Sequence, residues 1–323
     1  MTVLVTGASG MLGRSVAVET LARGNAVRTF QRGAADVPGA EDARGSLTDP
    51  ASVRAAVEGV EAVIHLAAKV SMAGRPDEFD AVNVEGTRTL LAAAREAGVR
   101  RFVMVSSPSV AHAGLSVVGD DALPADPERA RGEYARSKAE AELLALAEDA
   151  PGFAVVAVRP HIVWGPGDTQ LIERIVERSR RGRLPLLGGG RALIDTTYID
   201  NAATAIVAAL ERTEAVHGRS YVITNGEPRT VAELLAKICA AAGVPGPRFS
   251  VPAPLAREAG GLIESVWNLR PHDDEPPMTR FLAEQLSTSH WYDQRRTRAE
   301  LDWQPAVSLD AGLERLRQWY AAR

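Results

Sequence analysis

The chain has 323 residues, 46% of them hydrophobic and 24% charged, enough for roughly two domains at ~100–200 residues each and for a core that needs no staples. A net charge of −4 excludes a global basic field that would recruit nucleic acid or an anionic membrane. A single cysteine, Cys239, excludes an internal disulfide and a thiolate metal cluster.

Met1 leads directly into Val3-Leu4-Val5, without a basic-apolar-small leader, and no run of about 20 apolar residues occurs. The expectation is a cytoplasmic protein with no transmembrane segment. Val3–Val5 reads as a strand buried on both faces, Met11–Ala22 as a helix stopped at Gly24, and Ala26–Phe30 as a second strand. Asp49-Pro50 opens a helix through Glu58, Ala62–Leu66 is a strand, Glu85–Ala97 a helix, and Phe102–Ser106 a strand. Tyr134–Asp149 is a long Ala/Glu/Leu helix and Ala154–Val158 another buried strand. Strands and helices alternating in this way predict an α/β fold, a Rossmann-type doubly wound parallel sheet, with its ligand crevice at the carboxyl ends of the strands.

Beyond Pro160 the pattern loosens. Leu171–Arg183 reads as a basic helix, Asn201–Arg212 and Val231–Ala242 as helices around a strand at Tyr221–Thr224, and prolines interrupt residues 245–277. The expected division is a dinucleotide-binding domain over 1–165, its sheet completed by about 193–225. A smaller, mostly helical substrate portion is expected over 166–192 and 226–323. Cys239, in the helical run, reads as a small packed hydrophobe.

Thr6-Gly7-Ala8-Ser9-Gly10-Met11-Leu12-Gly13 joins the first strand to the first helix. Glycines there allow a tight turn and close backbone approach, and the helix start offers free N–H groups to a pyrophosphate. A plain tight turn is the simpler reading, but the strand–turn–helix context favours a dinucleotide loop. The second strand ends Phe30-Gln31-Arg32 without the carboxylate that would bind the ribose 2′-hydroxyl of NAD. Arg32 is suited to a 2′-phosphate, or is a solvated surface arginine; absence of the acid favours NADP(H).

The chain uses 34 arginines and only three lysines, so a lysine at a special position is informative. One of them, Lys138, lies four residues after Tyr134, on the same helix face. A nearby fixed positive charge is expected to lower the phenol's pKa, making it an acid–base group. Ser106 and Ser107 end the preceding strand, where a hydroxyl would face the crevice.

These motifs, with His65-Leu66-Ala67-Ala68, Asn83-Val84-Glu85-Gly86-Thr87 and Arg159-Pro160 before Trp164-Gly165-Pro166-Gly167-Asp168, resemble the extended short-chain dehydrogenase/reductases over essentially the whole chain. The resemblance implies a catalytic Ser-Tyr-Lys triad at Ser107, Tyr134 and Lys138, with Ser106 the alternative serine. Asn83 is then structural. It also implies a cofactor cradle of Gly7, Ser9, Gly10, Met11, Leu12, Gly13, Arg32, Ser46, Leu47, Leu66, Ala67, Ala68, Lys138 and Pro160. Ser46 stands where an acidic residue often holds the adenine amine.

Members that act on nucleotide sugars carry an arginine at the place of Ile194, so that substrate class is disfavoured. The Ile199-Asp200-Asn201 ending is similar to the 3β-hydroxysteroid dehydrogenase branch. Phe30–Gly33, Asp195–Asn201, Asn225–Pro228 and Glu275–Tyr292 resemble the bacterial 2-alkyl-3-oxoalkanoate reductases of long-chain olefin and β-lactone biosynthesis. That implies NADPH-dependent reduction of a 2-alkyl-3-oxo acid. A steroid-type dehydrogenase using NAD is the rival, and a non-catalytic NADP-binding scaffold a distant third. His161, Arg280 and His290 are candidates for substrate contact, each with a solvated or structural alternative. Pro254–Leu269 reads as a lining for alkyl chains, or as ordinary core or a dimer face. No histidine pair has metal-ligand spacing, so no metal is expected. The family implies a homodimer, and the pathway an assembly with other olefin-forming enzymes.

Overall fold

A computed structural model describes residues 1–71, 74–112, 114–267 and 278–323. β1 (Thr2–Thr6), β2 (Ala26–Gln31), β3 (Glu41–Arg44), β4 (Ala62–His65) and β5 (Arg101–Val105) join the strands Ala154–Pro160 and Ser220–Ile223 in one parallel seven-stranded sheet. The order across it is Ser220–Ile223, Ala154–Pro160, β5, β4, β1, β2, β3. The order reverses direction at β1, beside β4, and that is where a doubly wound sheet opens its crevice.

Helices cover both faces, which is why the central strands are apolar at every position rather than alternately. On one face Val3, Val5, Ile64, Val103 and Val156 pack under α1 (Met11–Ala22) and the helix Ile199–Val216, with Leu301 and Trp303 joining from the C-terminal quarter. On the other, Leu4, Val63, Phe102, Met104 and Val155 pack under α2 (Pro50–Val57) and the helices Gly86–Glu96 and Glu133–Ala147. A third core, around Trp164, Ile172, Tyr198, Leu235 and Leu313, gathers the C-terminal helices. Cys239 is fully buried within it.

The expected elements are present, with instructive differences. β3 reads Glu-Asp-Ala-Arg, too polar to announce itself; it is an edge strand, held by parallel pairing to β2. The helix expected to begin at Glu85 is the end of a longer run, Pro76–Phe79 continuing through a π-helical segment, Asp80–Glu85, into Gly86–Glu96. The helix expected over 201–212 extends over Ile199–Val216. Short strands Val117–Asp120, Leu193–Ile194, Arg229–Thr230 and His290–Tyr292 form a second sheet. Of the stretch read as an alkyl-chain lining, residues 268–269 lie outside the described ones, as do residues 275–277 of the distinctive C-terminal segment. The remainder is the helix Ala253–Trp267, which buries Ala256 but turns Leu255, Leu262 and Val266 outward, so these three line no interior channel. Among the described residues no helix is long and apolar enough to cross a membrane.

Candidate active site

Gly7 leaves β1 with φ +75°, and a Cβ there would stand 2.9 Å from the backbone N and Cα of Ala67. At Gly13 a Cβ would reach 2.2 Å from the Gly7 carbonyl oxygen. Both positions therefore exclude any side chain. Gly10 caps α1 in an extended conformation without a side-chain acceptor, so the N–H groups at the helix start are left for a ligand. Ser9 is exposed on this turn, while Met11 and Leu12 lean on the C-terminal core. The cradle fits a dinucleotide pyrophosphate: it is bare of side chains, and it carries unsatisfied donors at the positive end of a helix.

A continuous hydrogen-bond chain ties this turn to the helix Glu133–Ala147. The Leu66 and Ala67 amides donate to Thr6 Oγ1 (3.1 and 3.0 Å), which bonds His65 Nδ1 (2.8 Å). His65 Nε2 meets Thr87 Oγ1 (3.0 Å), and Thr87 donates to the Asn83 carbonyl (2.6 Å). Asn83 accepts from the Lys69 amide (2.7 Å) and donates to Ser137 Oγ (3.0 Å), which donates to the Tyr134 carbonyl (3.1 Å). Asn83 is thus structural in this fold. Burial, reinforced by the Lys138 charge, pushes His65 down to about 3, so the chain stays uncharged.

At the end of β2 the Gln31 amide donates to Asp42 on β3 (2.6 Å), while Arg32 is exposed and unpaired among the described residues. Asp42 also accepts from Thr29 (3.0 Å). Ser46 Oγ bonds Thr48 Oγ1 (2.7 Å) and accepts the Thr48 amide, so its hydroxyl is committed locally. Leu47 is buried against Gly86, and Leu66, Ala67 and Ala68 are partly exposed beside the glycine turn.

Tyr134 and Lys138 lie in the first two turns of Glu133–Ala147, Ser107 just beyond β5. The Tyr134 phenol is pushed up to about 12, chiefly by burial, against the pull of its hydrogen bond with Ser107. The expected depression by Lys138 is therefore not what this structure has. The ammonium is turned instead to the Val105 carbonyl (2.7 Å). Lys138 is 2% exposed; burial lowers its pKa to about 8 while Glu142, one turn on, opposes the fall. Ser107 Oγ accepts from the Ser109 hydroxyl (2.9 Å) and caps the turn Pro108–Ala111. Ser106 instead points its buried hydroxyl below the sheet edge toward Glu142, leaving Ser107 as the serine facing the phenol.

Beneath Lys138, Glu142 forms a buried pair with Arg159 (2.9 and 3.1 Å from Nε, with a further short contact from the guanidinium) and accepts from Ser220 (2.8 Å). Burial raises the Glu142 pKa, but the Arg159 charge and hydrogen bonds outweigh it and hold the carboxyl below its ordinary value. Sequence reading missed this pair. The i,i+4 spacing of Lys138 and Glu142 was its only local trace.

Continuing the register of β5 with Ala154–Pro160 puts Pro160 level with Ser107, and His161 one residue beyond. Ile162 follows with φ +44°, a left-handed conformation that is strained for a β-branched residue. His161 and His290 are both buried, and the structure brings them together: their ring centroids are 6.0 Å apart. His112, which was not anticipated, lies 4.7 Å from His290. Arg280 is apart from them in role, half-exposed and facing Glu258 (3.7 Å) and Glu284 (3.5 Å). Ile194 is buried and pairs with His290 in the second sheet, so this position carries no charge. Among the described residues no group of three or more His, Cys, Asp or Glu is arranged to hold a metal ion.

A glycine cradle at the sheet's switch point and a Ser/Tyr/Lys group at the neighbouring strand end define a nicotinamide-dinucleotide-dependent oxidoreductase acting on a CH–OH group. Residues 3–224 match the NAD dependent epimerase/dehydratase family, and the chain belongs to it. It is 42% identical over 331 aligned residues, covering all of both chains, to the 2-alkyl-3-oxoalkanoate reductase of Stenotrophomonas maltophilia. It is 28% identical to the 3 beta-hydroxysteroid dehydrogenase/Delta 5-->4-isomerase of Mycobacterium tuberculosis, across 99% of this chain and 90% of that one. Among solved structures it resembles a short-chain dehydrogenase/reductase superfamily protein from Agrobacterium tumefaciens with bound NAD (TM-score 0.75, 26% identity, covering 100% of this chain and 98% of that one).

Proposed function

We propose that the protein reduces 2-alkyl-3-oxoalkanoic acids to 2-alkyl-3-hydroxyalkanoic acids with NADPH. The observation that carries the substrate is the 42% identity to a 2-alkyl-3-oxoalkanoate reductase along the whole of both chains. Arg32, exposed just past β2 and unpaired among the described residues, supports NADPH over NADH. The glycine cradle, Leu47, Leu66–Ala68 and Pro160 would hold the dinucleotide, which supplies a hydride to the substrate's C3 when bound.

Tyr134 gives its proton to the alkoxide that forms at C3. A phenol held near pKa 12 is fully protonated at neutral pH, the form reduction requires. Ser107 hydrogen-bonds the same oxygen and so stabilises charge developing there. Lys138, with one N–H spent on the Val105 carbonyl, keeps donors for a ribose hydroxyl. The same reading carries a homodimer working beside other enzymes of olefin or β-lactone formation.

Oxidation of a panel of 2-alkyl-3-hydroxy acids and 3β-hydroxysteroids with NADP⁺ and NAD⁺ tests this, and avoids 3-oxo acids that lose CO₂ on standing. Turnover confined to the branched acids with NADP⁺ is expected. Turnover of steroids with NAD⁺ would replace the proposal with the steroid-dehydrogenase reading.

A further inference from the structure

His112, His161 and His290 come from three distant parts of the chain into one buried group; they are 3%, 6% and 1% exposed. His112 ends the one-turn helix that Ser107 begins, and His161 follows Pro160, level with Ser107 on the adjoining strand. His290 opens the strand paired to Ile194 and Val117. The group therefore adjoins the oxyanion side of the site along two separate stretches of backbone.

The hydrogen bonds fix where the protons of His161 and His290 are. His161 Nδ1 faces the Asp195 carbonyl (2.5 Å), which can only accept, so Nδ1 carries the hydrogen and Nε2 a lone pair. Thr288 spends its hydroxyl proton on the Glu284 carbonyl (2.8 Å), so it must accept from His290 Nε2 (2.7 Å). His290 Nδ1 is then a lone pair, buried and without a donor, and His112 Nε2 is likewise buried without a partner. Orphaned polar atoms of this kind are uncommon and unfavourable. Imidazoles met edge to face, and no described metal-type group, argue against a cation as their partner. Lone pairs call instead for a proton, and a proton here calls for an anion.

We propose that His112, His161 and His290 form the seat of the substrate carboxylate, which enters together with one proton shared among the three rings. This rests on the 3-oxo acid reading above, since the carboxyl carbon of such an acid is two bonds from C3 and must lie beside Ser107. By themselves the rings stay neutral: burial holds His112 and His161 near 4 and His290 near 2. A carboxylate placed against them reverses that preference, because an opposite charge within a few ångströms favours the imidazolium. The groups facing the cluster are Arg131 toward His112, Tyr292 and Asp195 toward His161, and Glu284 with Arg280 beyond Phe281. None is a free cation that would take the carboxylate first.

The seat also has a chemical purpose. Donors at the C3 oxygen stabilise the alkoxide of reduction, but equally the enolate formed when CO₂ leaves, as the C1–C2 electron pair becomes a C2=C3 double bond and the carbonyl π pair moves to the C3 oxygen. Holding negative charge on the carboxylate opposes that loss.

The test is the KM of a 2-alkyl-3-hydroxy acid and of its methyl ester, with NADP⁺, between pH 6 and 8. Because binding the acid consumes a proton, its KM should rise by about tenfold per pH unit relative to that of the ester. Titration of Lys138 moves both substrates alike and cancels in the ratio, while Asp195, raised to about 6 beside the cluster, does not, so the profile is repeated in Asp195→Asn, where the tenfold dependence should persist. His112→Gln and His290→Asn should each lower the acid-over-ester ratio of kcat/KM at least tenfold. Parallel pH profiles for acid and ester in the unmodified protein would overturn the assignment even if both variants failed to fold. Turnover of neither compound would overturn the 3-oxo acid reading and this site with it, an outcome distinct from turnover without discrimination.

Discussion

On the cofactor side, neighbours in space are close neighbours in sequence: Gly7, Gly10 and Gly13 fall within one turn, and Tyr134 and Lys138 within one helix. On the proposed substrate side His112, His161 and His290 meet across 178 residues of chain, through two-to-four-residue strands that pair with distant partners. A dinucleotide is an invariant ligand that backbone and a few bare positions can hold, and a short motif can encode them. The substrate side is shaped by side chains whose meeting depends on the whole fold.

Substitution at the contiguous side should give the largest effect. Tyr134→Phe removes the proton donor but leaves the glycine cradle untouched, so kcat should fall by about 10³-fold while NADPH binding, followed by fluorescence, stays within twofold. A loss of cofactor affinity as large as the loss of rate would mean that the phenol serves the cradle, and the two sides would no longer be separable.

Arg32→Asp sharpens the cofactor side from within. It replaces an exposed guanidinium by a carboxylate that repels a 2′-phosphate and accepts from a 2′-hydroxyl, so the NADPH-over-NADH ratio of kcat/KM should drop by roughly 30-fold, about 2 kcal/mol. An unchanged ratio would pass the role to another group near β3, where Arg44 pairs with Asp42 (3.2 Å).

The same contrast explains what was legible in the sequence. The central strands were visible because burial on both faces makes them continuous apolar runs. Ser107 was distinguishable from Ser106 only by alignment, since alternation on a strand puts one over the phenol and the other over Glu142, and no local signal says which. β3 was hidden because an edge strand covered on few sides tolerates Glu-Asp-Ala-Arg. His112 carried no signal at all: a lone histidine five residues past a serine acquires meaning only when Thr288, Glu284 and Asp195 are in place around its partners.

The smallest effect separates the histidines as structure from the histidines as site. Their folded-state pKa values lie below the unfolded value of 6.5, so the unfolded chain binds more protons between pH 6.5 and 4. Stability is then fully present above 6.5 and falls as the pH drops through that window, by about 1.4 kcal/mol per pH unit for each histidine. Asp195, raised by burial to about 6, works in the opposite sense from about pH 6 down to 4 and offsets one of them there. Urea denaturation at pH 7 and pH 5 should show the loss, and His112→Gln should reduce its slope by one proton. If the variant and the parent lose stability in parallel, His112 already carries a proton in the folded protein. The cluster would then be a preformed cation that binds the carboxylate by charge alone, without proton uptake, and the substrate side would resemble an ordinary anion site rather than one that its ligand charges.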